Sequence, residues 1–249
     1  MPRKSGSVSK KGRVKSVFLI LESKMVKYKD LIRVPVKETH ESLVYIKNSV
    51  MPNGYLPEMA DMEMIFGPRI LVRESVYEKL KLAQKKLQAK NPNFTLYVTY
   101  GYRSLKIQTE RFLKILANVN SSFFPNPSDL YEEAHRFVAV PTVAGHPTGG
   151  AIDITIKNSQ TDKFLDFGSK QYDYSTKDCY VFTPNITKVQ KGNRTLLRNM
   201  LIDVGFAPFD GEWWHFSYGD REWAFYNDES QAIYSQLDPE EIKLADWQS

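Results

Sequence analysis

One cysteine in 249 residues removes several architectures at once. Cys179 alone builds neither an internal disulfide framework nor a cysteine-rich zinc site, and it suits a reducing compartment. It falls in a polar loop far in sequence from any histidine, so it is not read as a nucleophile. Histidine is nearly as scarce: His40, His135, His146 and His215 are the whole set. No apolar run approaches the roughly 20 residues of a membrane-spanning helix. The stretch Val17–Leu21 is shorter than the ~7–15 apolar residues of an export signal, and no small-residue cleavage site follows before Lys24. The expectation is a cytoplasmic chain without a secretion signal.

A body charge of either sign is also missing. The net charge is +5, yet residues 1–28 hold eight basic side chains against Glu22, a surplus of seven that leaves the rest of the chain at −2. The basicity is a tail, not a nucleic-acid-binding face. A solvated flexible arm is the preferred reading over contact with RNA or anionic lipid, and no nucleic acid is required for function.

What is present is an ordinary globular body. A hydrophobic content of 42% with 13% aromatics supplies a compact core and a lined pocket. The chain divides into a basic tail (1–30), one domain (31–230) and a polar C-terminal tail (231–249). Residues 31–70 read as irregular wrapping with one or two strands. Val76, Leu80, Ala83 and Leu87 recur at helical spacing across 74–90, and Asn91-Pro92-Asn93 stops that helix. Residues 94–100 read as a strand, 105–117 as a helix and 128–138 as a short helix opened by Ser128 or Asp129. Residues 151–156 read as a strand and 157–192 as polar loop. A helix capped by Asn193 ends at Gly205, a strand spans 211–218, and a short helix lies near 221–226. This order implies an α+β fold with a small antiparallel sheet carrying the site and helices flanking it. Oligomeric state is not readable.

Two segments carry chemistry: His146-Pro147-Thr148-Gly149-Gly150-Ala151-Ile152-Asp153, and Glu212-Trp213-Trp214-His215. Two imidazoles, a carboxylate and a second carboxylate three residues before a histidine form the kit of a catalytic zinc: three ligands, one open position and a base. Each piece has a plainer reading. Asp153, inside an apolar strand, must be paired, by a metal or by an arginine. On a regular strand Glu212 and His215 point to opposite faces, so joint service requires a turn or bulge between them, or Glu212 at the strand's start. Otherwise His215 is a satisfied core histidine. Arg103, between Tyr100 and Tyr102, is a candidate for holding an anion or a polarised carbonyl. His40 and His135 are read as structural.

Jointly these motifs resemble the zinc D,D-peptidases, which include VanX-type D-alanyl-D-alanine dipeptidases and VanY-type D,D-carboxypeptidases. The family pattern Ser-x-His-x-x-Gly-x-Ala-x-Asp followed by Glu-x-Trp-His is met by His146, Gly149, Ala151, Asp153, Glu212, Trp214 and His215. Gly101-Tyr102-Arg103 matches the arginine segment, and the resemblance spans roughly 65–228. It implies one zinc ion per chain on His146, Asp153 and His215. It implies Glu212 as the general base that later protonates the leaving amine, and Arg103 as the oxyanion's partner. The expected partner is a small peptide substrate ending in D-Ala, with Asp166 and Tyr102 as substrate-binding residues. Ala144 replaces the family serine, a hydroxyl that helps hold the substrate's carboxylate. Asp166 matches the aspartate that receives a dipeptide's ammonium and favours the dipeptidase. Tyr100 and Gln108 lean towards carboxypeptidases. A non-catalytic peptide-binding module on the same fold is the remaining alternative.

Overall fold

The run Ala151–Ile156 is apolar at four of six positions, and it becomes the central strand of the main sheet. The structure, a computed structural model, describes residues 26–119 and 126–244. In chain order the elements are α1 (Tyr28–Leu31), β1 (Leu43–Tyr45), α2 (Glu63–Phe66), β2 (Leu71–Arg73), α3 (Glu74–Lys90), β3 (Phe94–Tyr100), α4 (Leu105–Asn118), α5 (Pro127–His135), β4 (Ala151–Asn158), β5 (Lys163–Phe164), α6 (Lys188–Ile202), β6 (Ala207–Pro208), β7 (His215–Ser217) and α7 (Arg221–Tyr226). The main sheet runs β3-β4-β7-β6, with β5 folded back on β4, and every pairing is antiparallel. A second sheet pairs β1 with β2. The fold is α+β with small antiparallel sheets, in agreement with the sequence.

Period-two alternation sorts β4. Ile152, Ile154 and Ile156 join Leu96, Val98 and Phe216 in the main core, covered by Val76, Leu80, Ala83 and Leu87 of α3 and by Leu197, Met200 and Leu201 of α6. Asp153 therefore takes the opposite face, with Ala151 and Thr155. Its cross-strand partners are His215 on β7 and, past a bulge between Val98 and Tyr100, Tyr100 on β3. The sheet register alone sets Tyr100, Asp153 and His215 side by side.

Three expectations change. The helix expected from Asn193 starts at Lys188, because Thr187, six residues earlier, forms a reciprocal capping box with Gln190; Asn193 lies inside the helix. The strand expected over 211–218 is confined to His215–Ser217. The C-terminal segment, expected as a polar tail with a few apolar anchors, is docked on the body as far as Leu244. Ala232 and Tyr234 are fully buried, Val36 bridges Ala232, and Leu43 bridges Leu244. At the other end, the expected arm and Val17–Leu21 lie outside the described residues, while Tyr28 and Lys29 donate their backbone N–H groups to the Glu132 carboxylate on α5. Among the described residues no helix is long and apolar enough to cross a membrane.

Candidate metal centre and active site

His146 opens a single 3-10 turn, His146–Thr148, that leads into β4. Two glycines make the path possible. A side chain at Gly145 would collide with the Asp220 carboxylate, and Gly149 takes a left-handed φ of 72°. Buried Arg73 pins the turn from behind, donating from Nε to the Thr148 carbonyl at 2.7 Å. His146 Nδ1 lies 2.8 Å from the Gly101 carbonyl. A carbonyl only accepts, so Nδ1 carries the proton and Nε2 keeps its lone pair.

Glu212 and His215 reach the same side because the chain turns between them. The His215 N–H donates to the Glu212 carbonyl at 3.2 Å, closing a tight turn where a straight strand would have separated the two side chains. Trp213 leaves this turn to stack on Phe167 at 4.1 Å, and Trp214 is wholly buried.

The result is a three-atom cluster. Asp153 Oδ1 is 3.0 Å from His215 Nδ1 and 3.5 Å from His146 Nε2, and the donor atoms of all three residues lie within 4.8 Å of one another. Two nitrogens and one carboxylate oxygen are the donor set of a hydrolytic zinc site, and tetrahedral ligands at ~2.0–2.1 Å from zinc stand about 3.3 Å apart. The residues fit the ion. His215 Nε2 faces Glu222 Oε2 at 3.8 Å, which leaves Nδ1 for the cluster.

Burial and partners split the titrating groups. Burial pushes Glu212 up to about 7, against the pull of His215. Burial would also raise Asp153, but the two imidazoles outweigh it and hold this carboxyl well below the usual range. Burial lowers His146 to about 4. In His215 burial opposes the charged ring, yet the hydrogen bond and charge of Asp153 prevail and lift it to about 9. Glu222 is pushed up to about 8 by burial.

Arg103, Glu212 and the three cluster residues line one cavity, together with Gln108, Tyr174 and Ala144. Arg103 is buried, donating from Nε to the Tyr100 hydroxyl at 3.1 Å and from Nη1 to Gln108 Oε1 at 2.7 Å. Its Nη2 has no hydrogen-bond partner among the described residues. Ala144 brings no hydroxyl to the cavity wall.

Two expected substrate residues stand elsewhere. Asp166 is exposed on a different cavity, and both its oxygens are used: Oδ1 accepts from the Gly168 N–H and Oδ2 from Gln190 Nε2, each at 2.9 Å. It closes the turn after β5 and ties it to Gln190 on α6. Tyr102 is buried, packs edge-on against Phe66, and donates its hydroxyl to the Leu237 carbonyl at 2.8 Å. It ties the C-terminal segment to the body. His135 is structural by geometry, its Nδ1 accepting from the Val140 N–H at 3.1 Å. The sequence reading missed Tyr172, Tyr174 and Glu222. The first two sit in a stretch dismissed as polar loop, where a pair of tyrosines two apart was the available signal.

The sequence profile of the peptidase M15 family, described as D-ala-D-ala dipeptidase, matches residues 61–236. The chain belongs to this family. It is a metallopeptidase. A D-alanyl-D-alanine dipeptidase of Synechocystis sp. is 28% identical over 244 residues, spanning 87% of this chain and 95% of that protein. One from Enterococcus faecium is 26% identical over 150 residues, 57% of this chain and 72% of its own. Among solved structures, VanYB in complex with D-alanine-D-alanine superposes with a TM-score of 0.38 at 15% identity, covering 81% of this chain and 94% of that one. The LdcB LD-carboxypeptidase gives 0.38 at 19% identity, over 70% and 71%. The profile match to this M15 peptidase extends beyond both ends of the 65–228 resemblance read from motifs.

Proposed function

We propose that this chain is a zinc-dependent D,D-dipeptidase that hydrolyses D-alanyl-D-alanine, with one zinc ion held by His146 Nε2, Asp153 Oδ1 and His215 Nδ1. The observation that carries the reading is the convergence of these donors within 4.8 Å, on a cavity also lined by Glu212 and Arg103. When bound, zinc supplies a Lewis acid that polarises the scissile carbonyl and makes water nucleophilic near neutral pH. Glu212 accepts a proton from the attacking water and returns it to the nitrogen of the departing D-Ala as the C–N bond breaks. A carboxyl titrating near 7 serves both transfers at neutral pH. Arg103 offers Nη2 to the charge that grows on the carbonyl oxygen, while Tyr100 and Gln108 fix its other nitrogens. The names of the relatives support the dipeptide as substrate.

One observation favours a second reading, D,D-carboxypeptidase action on longer peptides. Asp166, the carboxylate assigned to a dipeptide's ammonium, lies outside the cavity. The two readings separate on kcat/KM for D-Ala-D-Ala against N-acetyl-D-Ala-D-Ala. Preference for the free dipeptide supports the first, and preference for the acylated one the second. Cleavage of neither by zinc-loaded protein removes both.

A further inference from the structure

Hydrolysis as described leaves two hydroxyl groups of this centre without a task. Thr99 Oγ1 donates its single proton to the Asp153 carbonyl at 3.1 Å and accepts from Gln171 Nε2 at 3.0 Å. The Tyr172 hydroxyl meets Asp153 Oδ2 at 3.1 Å and, because an ionised carboxylate only accepts, gives its proton there; Thr99 Oγ1 lies 3.2 Å from the same hydroxyl. Asp153 Oδ1 is left to the two imidazoles. Two residues on, the Tyr174 hydroxyl donates to Glu212 Oε1 at 3.2 Å. Glu212 Oε2 has no hydrogen-bond partner among the described residues. Both tyrosine rings meet buried Trp214 edge-on, at 5.7 and 5.9 Å, so the aromatic residue between Glu212 and His215 seats them both. Tyr172 holds a left-handed φ of 65°, a conformation that bulky side chains rarely adopt and that persists where surroundings over-determine it.

We propose that Tyr172 and Tyr174 are positioning residues, each reserving one oxygen of one carboxylate. Tyr172 restricts Asp153 to one-oxygen ligation, which keeps the fourth position of a tetrahedral site open. Tyr174 aims Glu212 so that its second oxygen alone faces the reaction. The inference rests on the function proposed above.

The test uses the full chain as wild type, Tyr172→Phe and Tyr174→Phe. Zinc affinity is measured by chelator competition, then kcat and KM for D-Ala-D-Ala at saturating zinc. Loss of an outer hydrogen bond to a metal ligand typically costs ~10–100-fold in affinity, and Tyr172→Phe should weaken zinc binding by that factor. Tyr174→Phe should leave zinc affinity within about twofold and lower kcat by roughly tenfold with KM little moved. A role in packing alone would lower the melting temperature of the zinc-free protein and leave both readouts in place. Unchanged zinc affinity in Tyr172→Phe, or unchanged kcat in Tyr174→Phe, overturns the proposal. Should Tyr172→Phe not fold, Tyr174→Phe decides alone, since its ring is half exposed. A wild type that neither binds zinc nor releases D-Ala would instead defeat the functional reading.

Discussion

Glu212 and Asp153 are carboxylates on one cavity, and their neighbours give them opposite characters. Two imidazoles face Asp153 and keep it ionised, whereas at Glu212 burial outweighs the pull of His215. The split fits the roles proposed for them, ligand for Asp153 and base for Glu212. Glu212→Gln should cost ~10²–10⁴-fold in kcat while zinc stays bound; near wild-type turnover would return Glu212 to the structural pool. Arg103→Ala should lower kcat by ~10²-fold with KM moving far less. If the whole loss falls on KM, Arg103 is a carboxylate anchor, covering for the hydroxyl absent at Ala144. His135 gives a pH signature away from the centre. Burial lowers it from 6.5 to about 4. Between those values the unfolded chain binds the proton and the folded chain does not, so stability rises with pH there and is lost as pH falls. Urea unfolding of zinc-free wild type and His135→Gln across pH 4.5–7 checks this, and identical pH slopes would contradict it. At this scale motif spacing revealed the residues that converge, but not the partners that tune them. Tyr172 and Tyr174 reach the site through tertiary packing, and Asp166, matched by motif, is consumed by local hydrogen bonds.

Elements were most legible where apolar periodicity is strong. Helix α3 and strands β3 and β4 follow directly from it. The first turn of α6, Lys188-Val189-Gln190-Lys191, is polar but for an exposed valine, so periodicity gave no sign of it and only the capping box marks it. The β7 segment is aromatic enough to read as a long strand, and the turn after Glu212 is set by tertiary contacts. The loop between β5 and α6 is ordered by a buried cation that no motif announces. Arg194 donates to the carbonyls of Phe167, Tyr180 and Asp178 at 2.7, 2.5 and 2.6 Å. Replacing it with Met orphans three acceptors, at roughly 1–3 kcal/mol for each that stays buried and unmet. Arg194→Met should therefore lose more than about 2 kcal/mol in urea unfolding and gain protease cleavage between 167 and 180. A loss under about 0.5 kcal/mol would mean that the loop holds itself.

Across the whole molecule, the C-terminal segment closes the body around the site loop. Leu237 donates its N–H to the Pro147 carbonyl at 2.9 Å, and Gln236 Nε2 donates to the Ala144 carbonyl at 3.0 Å, so the segment braces the turn that carries His146. Composition suggested a polar tail because its anchors, Ala232 and Tyr234, are few. Ending the chain at residue 230 should lower both the melting temperature and zinc affinity, and unchanged values for both would show the brace to be idle. The basic surplus of residues 1–28 lies mostly outside the described residues, and the catalytic account does not require it. The most direct test of that account is release of D-Ala from D-Ala-D-Ala by the purified chain, zinc-loaded and then chelated. Release that needs zinc, stops on chelation and returns with one equivalent of the ion is the expected result. No release from zinc-loaded protein, or release that survives complete removal of the metal, would contradict it.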